Sequence, residues 1–163
     1  MAVTWELLAN NERFAESFPY AGLPTEPIKH LAIVTCMDAR LDVFSMLGLH
    51  PGEAHVIRNA GGVVTDDVIR SLVVSQRFLR TEEIVVIHHT RCGMLSLSED
   101  DLRAAIQQET GMRPPWAFEA FQDLDAEVRH SLTRLRGSPF LPVRSRVRGF
   151  VYDTDTGKLR EVT

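Results

Sequence analysis

Short apolar runs separated by helical segments constrain this chain more than any other feature. Leu31 to Thr35 (LAIVT) and Glu83 to His88 (EIVVIH) are rich in β-branched residues, and their apolar positions run on without alternation. That pattern is expected of strands buried on both faces. Ala54 to Asn59 (AHVIRN) reads as a further strand. Between them, Asp42 to Leu47 has helical character and stops at Gly48, with Pro51-Gly52 as a turn. Thr65 supplies an N-cap, Asp66 and Asp67 suit a first helical turn, and the helix is predicted to run to about Arg80. Strands alternating with helices imply βαβ units. The fold class is therefore α/β: a mostly parallel central sheet with helices on both faces.

The flanks complete this outline. Trp5, Leu8, Phe14 and Phe18 lie at helical spacing, so residues 4–18 read as an amphipathic helix. With the loop marked by Gly22, Pro24 and Pro27, it makes residues 1–29 a helical arm and loop. Ser98 to Asp101 looks like another helix start, and a further helix is predicted from about Phe118 to Leu135. Pro114, Pro115, Pro139 and Pro142 interrupt the pattern across 110–145. Val147 to Asp153 and Lys158 to Val162 flank Thr154-Asp155-Thr156-Gly157, a hairpin signal that adds an antiparallel edge. Without an internal repeat or an evident linker, residues 1–163 are expected to form one domain.

Composition excludes some partners. The formal net charge of −4 argues against a nucleic-acid binder, which usually carries a basic face. The run Arg144 to Arg148 fits a solvated strand edge or a subunit contact better. No apolar run approaches the roughly twenty residues that span a bilayer. The first residues lack the basic and apolar segments of a secretory signal, so a cytoplasmic location is the expectation. With only two cysteines, a disulfide-stapled secreted fold is not expected either.

Both cysteines fall just past strand ends, and in open α/β sheets ligands gather outside the carboxyl ends of the strands. One end carries Cys36-Met37-Asp38-Ala39-Arg40, another Arg58-Asn59-Ala60-Gly61-Gly62, a third His88-His89-Thr90-Arg91-Cys92-Gly93. Two unrelated core thiols remain the alternative. His89-x-x-Cys92 can chelate one metal, with Cys36 arriving from another strand. Two thiolates and one imidazole suit zinc and leave a tetrahedral position open, the catalytic pattern. Asp38 could fill that position or accept a hydrogen bond there, with Arg40 holding it ionised; the alternative is an ordinary surface pair. Ala60, Gly61 and Gly93 are candidate walls of a small substrate pocket. Gly61-Gly62 could equally be only a tight turn. His88 reads as a packed histidine rather than a ligand. No GxGxxG or phosphate loop is present.

CMDARLD (Cys36 to Asp42), VIRNAGG (Val56 to Gly62) and HHTRCGM (His88 to Met94) resemble the motifs of β-class carbonic anhydrases, most closely the small actinobacterial-type members. The resemblance spans roughly residues 30–163. It implies one Zn2+ per subunit on Cys36, His89 and Cys92, an Asp38–Arg40 dyad beside it, and reversible hydration of carbon dioxide to bicarbonate. It also implies a homodimer or dimer-based homo-oligomer with the site near the interface. In some members the aspartate binds zinc in a closed form and releases it to the arginine at higher pH. Two departures stand out. Arg91 lies where relatives often carry a smaller or acidic residue, and the extensions of larger members are lacking. Two rival functions use the same residues: hydrolysis of carbon disulfide or carbonyl sulfide, and non-catalytic binding of zinc or bicarbonate.

Overall fold

The computed structural model describes residues 2–163. Five strands, β1 (Leu31–Cys36), β2 (Ala54–Asn59), β3 (Glu83–His89), β4 (Val147–Tyr152) and β5 (Leu159–Val162), form a sheet in the order β2-β1-β3-β4-β5. β1 to β4 are parallel, and β5 returns antiparallel to β4. The helices are α1 (Val3–Ala15), α2 (Val43–Leu47), α3 (Asp66–Arg77), α4 (Glu99–Thr110) and α5 (Leu124–Gly137). This is the mixed architecture that the sequence pattern implies, including its antiparallel edge.

The central strands explain the continuous apolar runs. Ala32 and Val34 of β1 and Ile84 and Val86 of β3 are fully buried against Val68 and Leu72 of α3 and Val128, Leu132 and Leu135 of α5. Ile33 and Ile87 face the other way, onto Val43 of α2 with Leu47, Leu49 and Phe150 around them. Strand side chains alternate between faces, so a run covered on both sides must be apolar at every position. β2 lies at the sheet edge and is only partly buried, which accounts for the His and Arg in AHVIRN. Gly149 of β4 admits α5 closely: a Cβ there would fall on the Val128 side chain.

Local chemistry sets most helix boundaries. Thr65 Oγ1 accepts from the Val68 amide at 3.3 Å, starting α3, which ends at Arg77, a turn short of Arg80. α1 likewise ends at Ala15, before Phe18. A larger correction concerns the helix expected from Phe118, because α5 begins only at Leu124. Asp123 caps it, with Oδ1 accepting from the Ala126 amide at 2.9 Å. The preceding segment follows an irregular path held by α4 side chains. Arg103 donates to the carbonyls of Pro114 and Trp116, while Glu99 accepts from the Phe118 amide at 3.3 Å. Backbone groups satisfied in this way need no helix. Among the described residues, no helix is long and apolar enough to cross a membrane.

Candidate metal centre

Parallel strands deliver their carboxyl ends to one side of the sheet. In register, Cys36 pairs with Asn59 and Thr35 with Ile87, so the three motifs that follow lie side by side. Cys36, His89 and Cys92 are all buried, and their potential ligand atoms lie within 4.8 Å of one another. The two Sγ atoms are 3.9 Å apart, as free thiols. Leu41, Val63 and Phe121 pack around the cysteines, with Met94 and Leu95 at the margin.

His89 is oriented for ligation. Its Nδ1 lies 2.9 Å from the Thr90 carbonyl, which can only accept, so the ring proton sits on Nδ1. Nε2 is left with its lone pair, buried and without a hydrogen-bond partner. An imidazole fixed from behind by a carbonyl is the usual arrangement of a metal-bound histidine. A fully buried acceptor without a partner is costly unless something else occupies it. Two thiols and this nitrogen form a donor set that suits zinc.

The electrostatics favour a cation. The hydrogen bond from the Cys92 thiol pulls Cys36 down to about 4, and burial opposes it, with His89 and nearby amides adding to the lowering. The same contact, together with burial, pushes Cys92 upward. The pair therefore gives up one proton readily and holds the second against the charge of the first. Burial works to lower the His89 imidazole, but Cys36, the Thr90 carbonyl and Asp38 outweigh it and its pKa lies above the ordinary value.

Asp38 and Arg40 meet beside this cluster. Arg40 Nε donates to Asp38 Oδ1 at 2.9 Å and Nη2 to Oδ2 at 2.7 Å, while the Arg40 amide also donates to Oδ1 at 2.9 Å. These bonds hold the Asp38 carboxyl well below the usual carboxylate range. Oδ2 is 3.7 Å from His89 Nε2, so the carboxylate faces the same space as the thiols. Arg58, not singled out from sequence, ties this segment down by donating to the carbonyls of Cys36 at 2.9 Å and Asp38 at 2.7 Å. Its position inside VIRNAGG was the available signal.

The candidate pocket residues fare differently. Ala60 is half-buried and begins the turn Ala60–Gly62. Gly61 is buried at φ 80°, and a Cβ there would meet Met94 and Phe121 at 3.0 Å. At Gly62 a Cβ would lie 2.7 Å from the Cys36 amide nitrogen, so this glycine lets the turn close against β1. Gly93 has open space around its Cα, and packing does not demand its small size. His88 is buried with its ring edge-on to Phe121 at 5.6 Å. Burial pushes its pKa down to about 4, which fits a neutral packed histidine.

Known proteins resemble this chain in sequence and in fold. The family model for carbonic anhydrase matches residues 31–159. Beta-carbonic anhydrase 1 of Mycobacterium tuberculosis is 58% identical over 163 residues, covering 100% of this chain and 99% of the relative. A carbon disulfide hydrolase of Acidithiobacillus thiooxidans is 34% identical over 85% of this chain and 79% of its own length. Among solved structures, the carbonic anhydrase from Streptococcus mutans superposes with a TM-score of 0.93 at 41% identity, covering 100% of this chain and 99% of that one. The family model, the full-length relative and the shared fold agree: the chain belongs to the carbonic anhydrase family, in its β class, whose enzymes use zinc to hydrate carbon dioxide reversibly.

Proposed function

We propose that Cys36, His89 and Cys92 hold the zinc ion and that Asp38 and Arg40 are the catalytic dyad for hydration of carbon dioxide. The observation that carries this reading is the buried, unpartnered His89 Nε2, which faces two thiols and lies 3.7 Å from Asp38 Oδ2. When bound, zinc supplies a Lewis acid that lowers the pKa of water towards about 7 and so furnishes hydroxide at neutral pH. Asp38, kept anionic by Arg40, accepts the hydrogen bond of the attacking O–H and turns its lone pair towards the carbon of the substrate. Arg40 stays charged throughout and holds the carboxylate in place. Ala60, Gly61 and Gly93 are proposed to border the space for carbon dioxide, with the apolar side chains beside the thiols limiting entry of water.

The chain is further proposed to act as a single domain and as a homodimer in the cytoplasm. The packing of one sheet across residues 31–162 supports the first point. For the second, α1 buries none of its residues and exposes Trp5, Leu8 and Phe14, an apolar face that a second copy would cover. Two thiols 3.9 Å apart suit a reducing compartment.

Stopped-flow hydration of carbon dioxide by zinc-loaded protein tests the reaction, with sulfide release from carbon disulfide measured in parallel. Rapid hydration with negligible sulfide is expected. Sulfide release without hydration would sink the proposal, and inertness towards both would favour a purely binding role.

A further inference from the structure

Arg91, between the candidate ligands His89 and Cys92, is held in an uncommon way. Its φ is 54°, in the left-handed region that few non-glycine residues occupy. That turn aims the Arg91 carbonyl at Arg40. Arg40 Nη2 donates to it at 3.0 Å while also donating to Asp38 Oδ2 at 2.7 Å. The Arg40 side chain is 47% exposed, so few contacts other than these restrain its guanidinium.

The peptide that carries this carbonyl is pinned to the turn between β4 and β5. The Thr90 amide donates to the Tyr152 carbonyl at 2.9 Å, and the Thr154 amide donates to Thr90 Oγ1 at 3.0 Å. The Thr90 and Thr154 hydroxyls are 3.1 Å apart. One residue further along each segment, the Arg91 guanidinium donates to the Asp155 carboxylate. The turn is itself braced, since Asp153 Oδ1 accepts from the Asp155 amide at 2.8 Å.

We infer that Arg91 and Asp155 are positioning residues for Arg40: their ion pair clamps the 90–92 peptide to the β4–β5 turn and so holds the carbonyl that orients the dyad. Both partners are 61% exposed, and an isolated pair of that kind contributes little to stability. Its effect lies in geometry, through one peptide that a single guanidinium reads. The inference deepens the proposed role of Asp38 and Arg40 and rests on it.

The test uses zinc-loaded protein and five variants: Asp155→Ala, Asp155→Asn, Arg40→Ala, Arg40→Ala combined with Asp155→Ala, and the exchange Arg91→Asp with Asp155→Arg. Loss of the clamp is expected to lower kcat about tenfold, as other supporting contacts around metal sites do, with KM and zinc content unchanged. The charge exchange is expected to recover most of that loss, because aspartate tolerates the left-handed backbone at position 91. In an Arg40→Ala background, Asp155→Ala should cost nothing more. A readout independent of turnover is the exchange with solvent of the Arg40 Nη2 protons, one of which the Arg91 carbonyl accepts, followed by 15N NMR, which should quicken in both Asp155 variants. Unchanged kcat or unchanged exchange in those variants overturns the inference and leaves the dyad standing. So does an equal loss with and without Arg40. Full turnover in Arg40→Ala removes the dyad reading and the inference together.

Discussion

Cys36 and Cys92 are 56 positions apart in sequence, yet their sulfurs lie 3.9 Å from each other beneath the carboxyl ends of β1 and β3. That proximity exists because the two strands are neighbours running in the same direction. Each thiol needs the other and His89 to complete the three-donor set, so their replacement has a sharp expected outcome. Cys36→Ser and Cys92→Ser should each abolish stoichiometric zinc, measured by plasma emission after dialysis. Full retention in both variants would refute the proposed ligand set.

The dyad should separate from the ligands. Asp38→Asn and Arg40→Ala leave the thiols and His89 in place, so zinc content should stay near one per chain. Turnover should fall by roughly 10- to 100-fold, the usual cost of removing a supporting partner at a metal site. Unchanged stopped-flow rates would exclude Asp38 and Arg40 from the chemistry.

Gly62 tests how tightly the turn closes on β1. A methyl group there would lie 2.7 Å from both the Cys36 nitrogen and the Thr35 carbonyl carbon, which are backbone atoms that cannot swing aside. Its φ of 70° adds a left-handed penalty. Gly62→Ala should destabilise the protein by roughly 2–4 kcal/mol in urea unfolding, from overpacking and backbone strain combined. Gly48→Ala is the control, because φ is 63° but nothing lies within 4 Å. It should cost only about 1–2 kcal/mol. Equal losses would mean that the clash at Gly62 is relieved.

Asp123 explains where α5 begins, and the cap can be weighed. Asp123→Ala removes the acceptor of the Ala126 amide and should cost about 1 kcal/mol, read as a lower urea midpoint. If stability is unchanged, another group must satisfy that amide.

Glu127 of α5 gives a pH signature of its own. Burial pushes its carboxyl upward, against the opposing pull of His130. A carboxyl raised in the folded state binds its proton more tightly there than in the unfolded chain. Its contribution is therefore favourable below the unfolded value and is lost as pH rises through the folded one. Glu127→Gln should accordingly stabilise the protein at neutral pH, and the gain should vanish in acid. A gain that persists below the unfolded carboxylate range would point to another cause.

Much of this molecule was legible in its sequence because burial on both faces leaves a strong mark. LAIVT and EIVVIH had to be central strands, and parallel central strands had to present the segments after them on one side of the sheet. Thr65 announced α3 because a cap is a local bond between residues three apart. Helix ends set by distant groups were not visible. The path from Pro114 to Gln122 depends on Arg103 and Glu99 of α4, which no local pattern relates to it.

The same division runs through the candidate site. Cys36, His89, Cys92, Asp38 and Arg40 could be named from residue chemistry and from their positions after strand ends. Only the tertiary structure decided that His89 offers Nε2 rather than Nδ1, since that choice belongs to the Thr90 carbonyl. It alone joined Arg58 to the carbonyls of Cys36 and Asp38, and Arg40 through Arg91 to Asp155. Sequence determines residue types and local periodicity; the ring orientation of His89 needs the folded backbone around Thr90, and Arg58, Arg40 and Arg91 reach their partners only where distant segments meet once the sheet has formed.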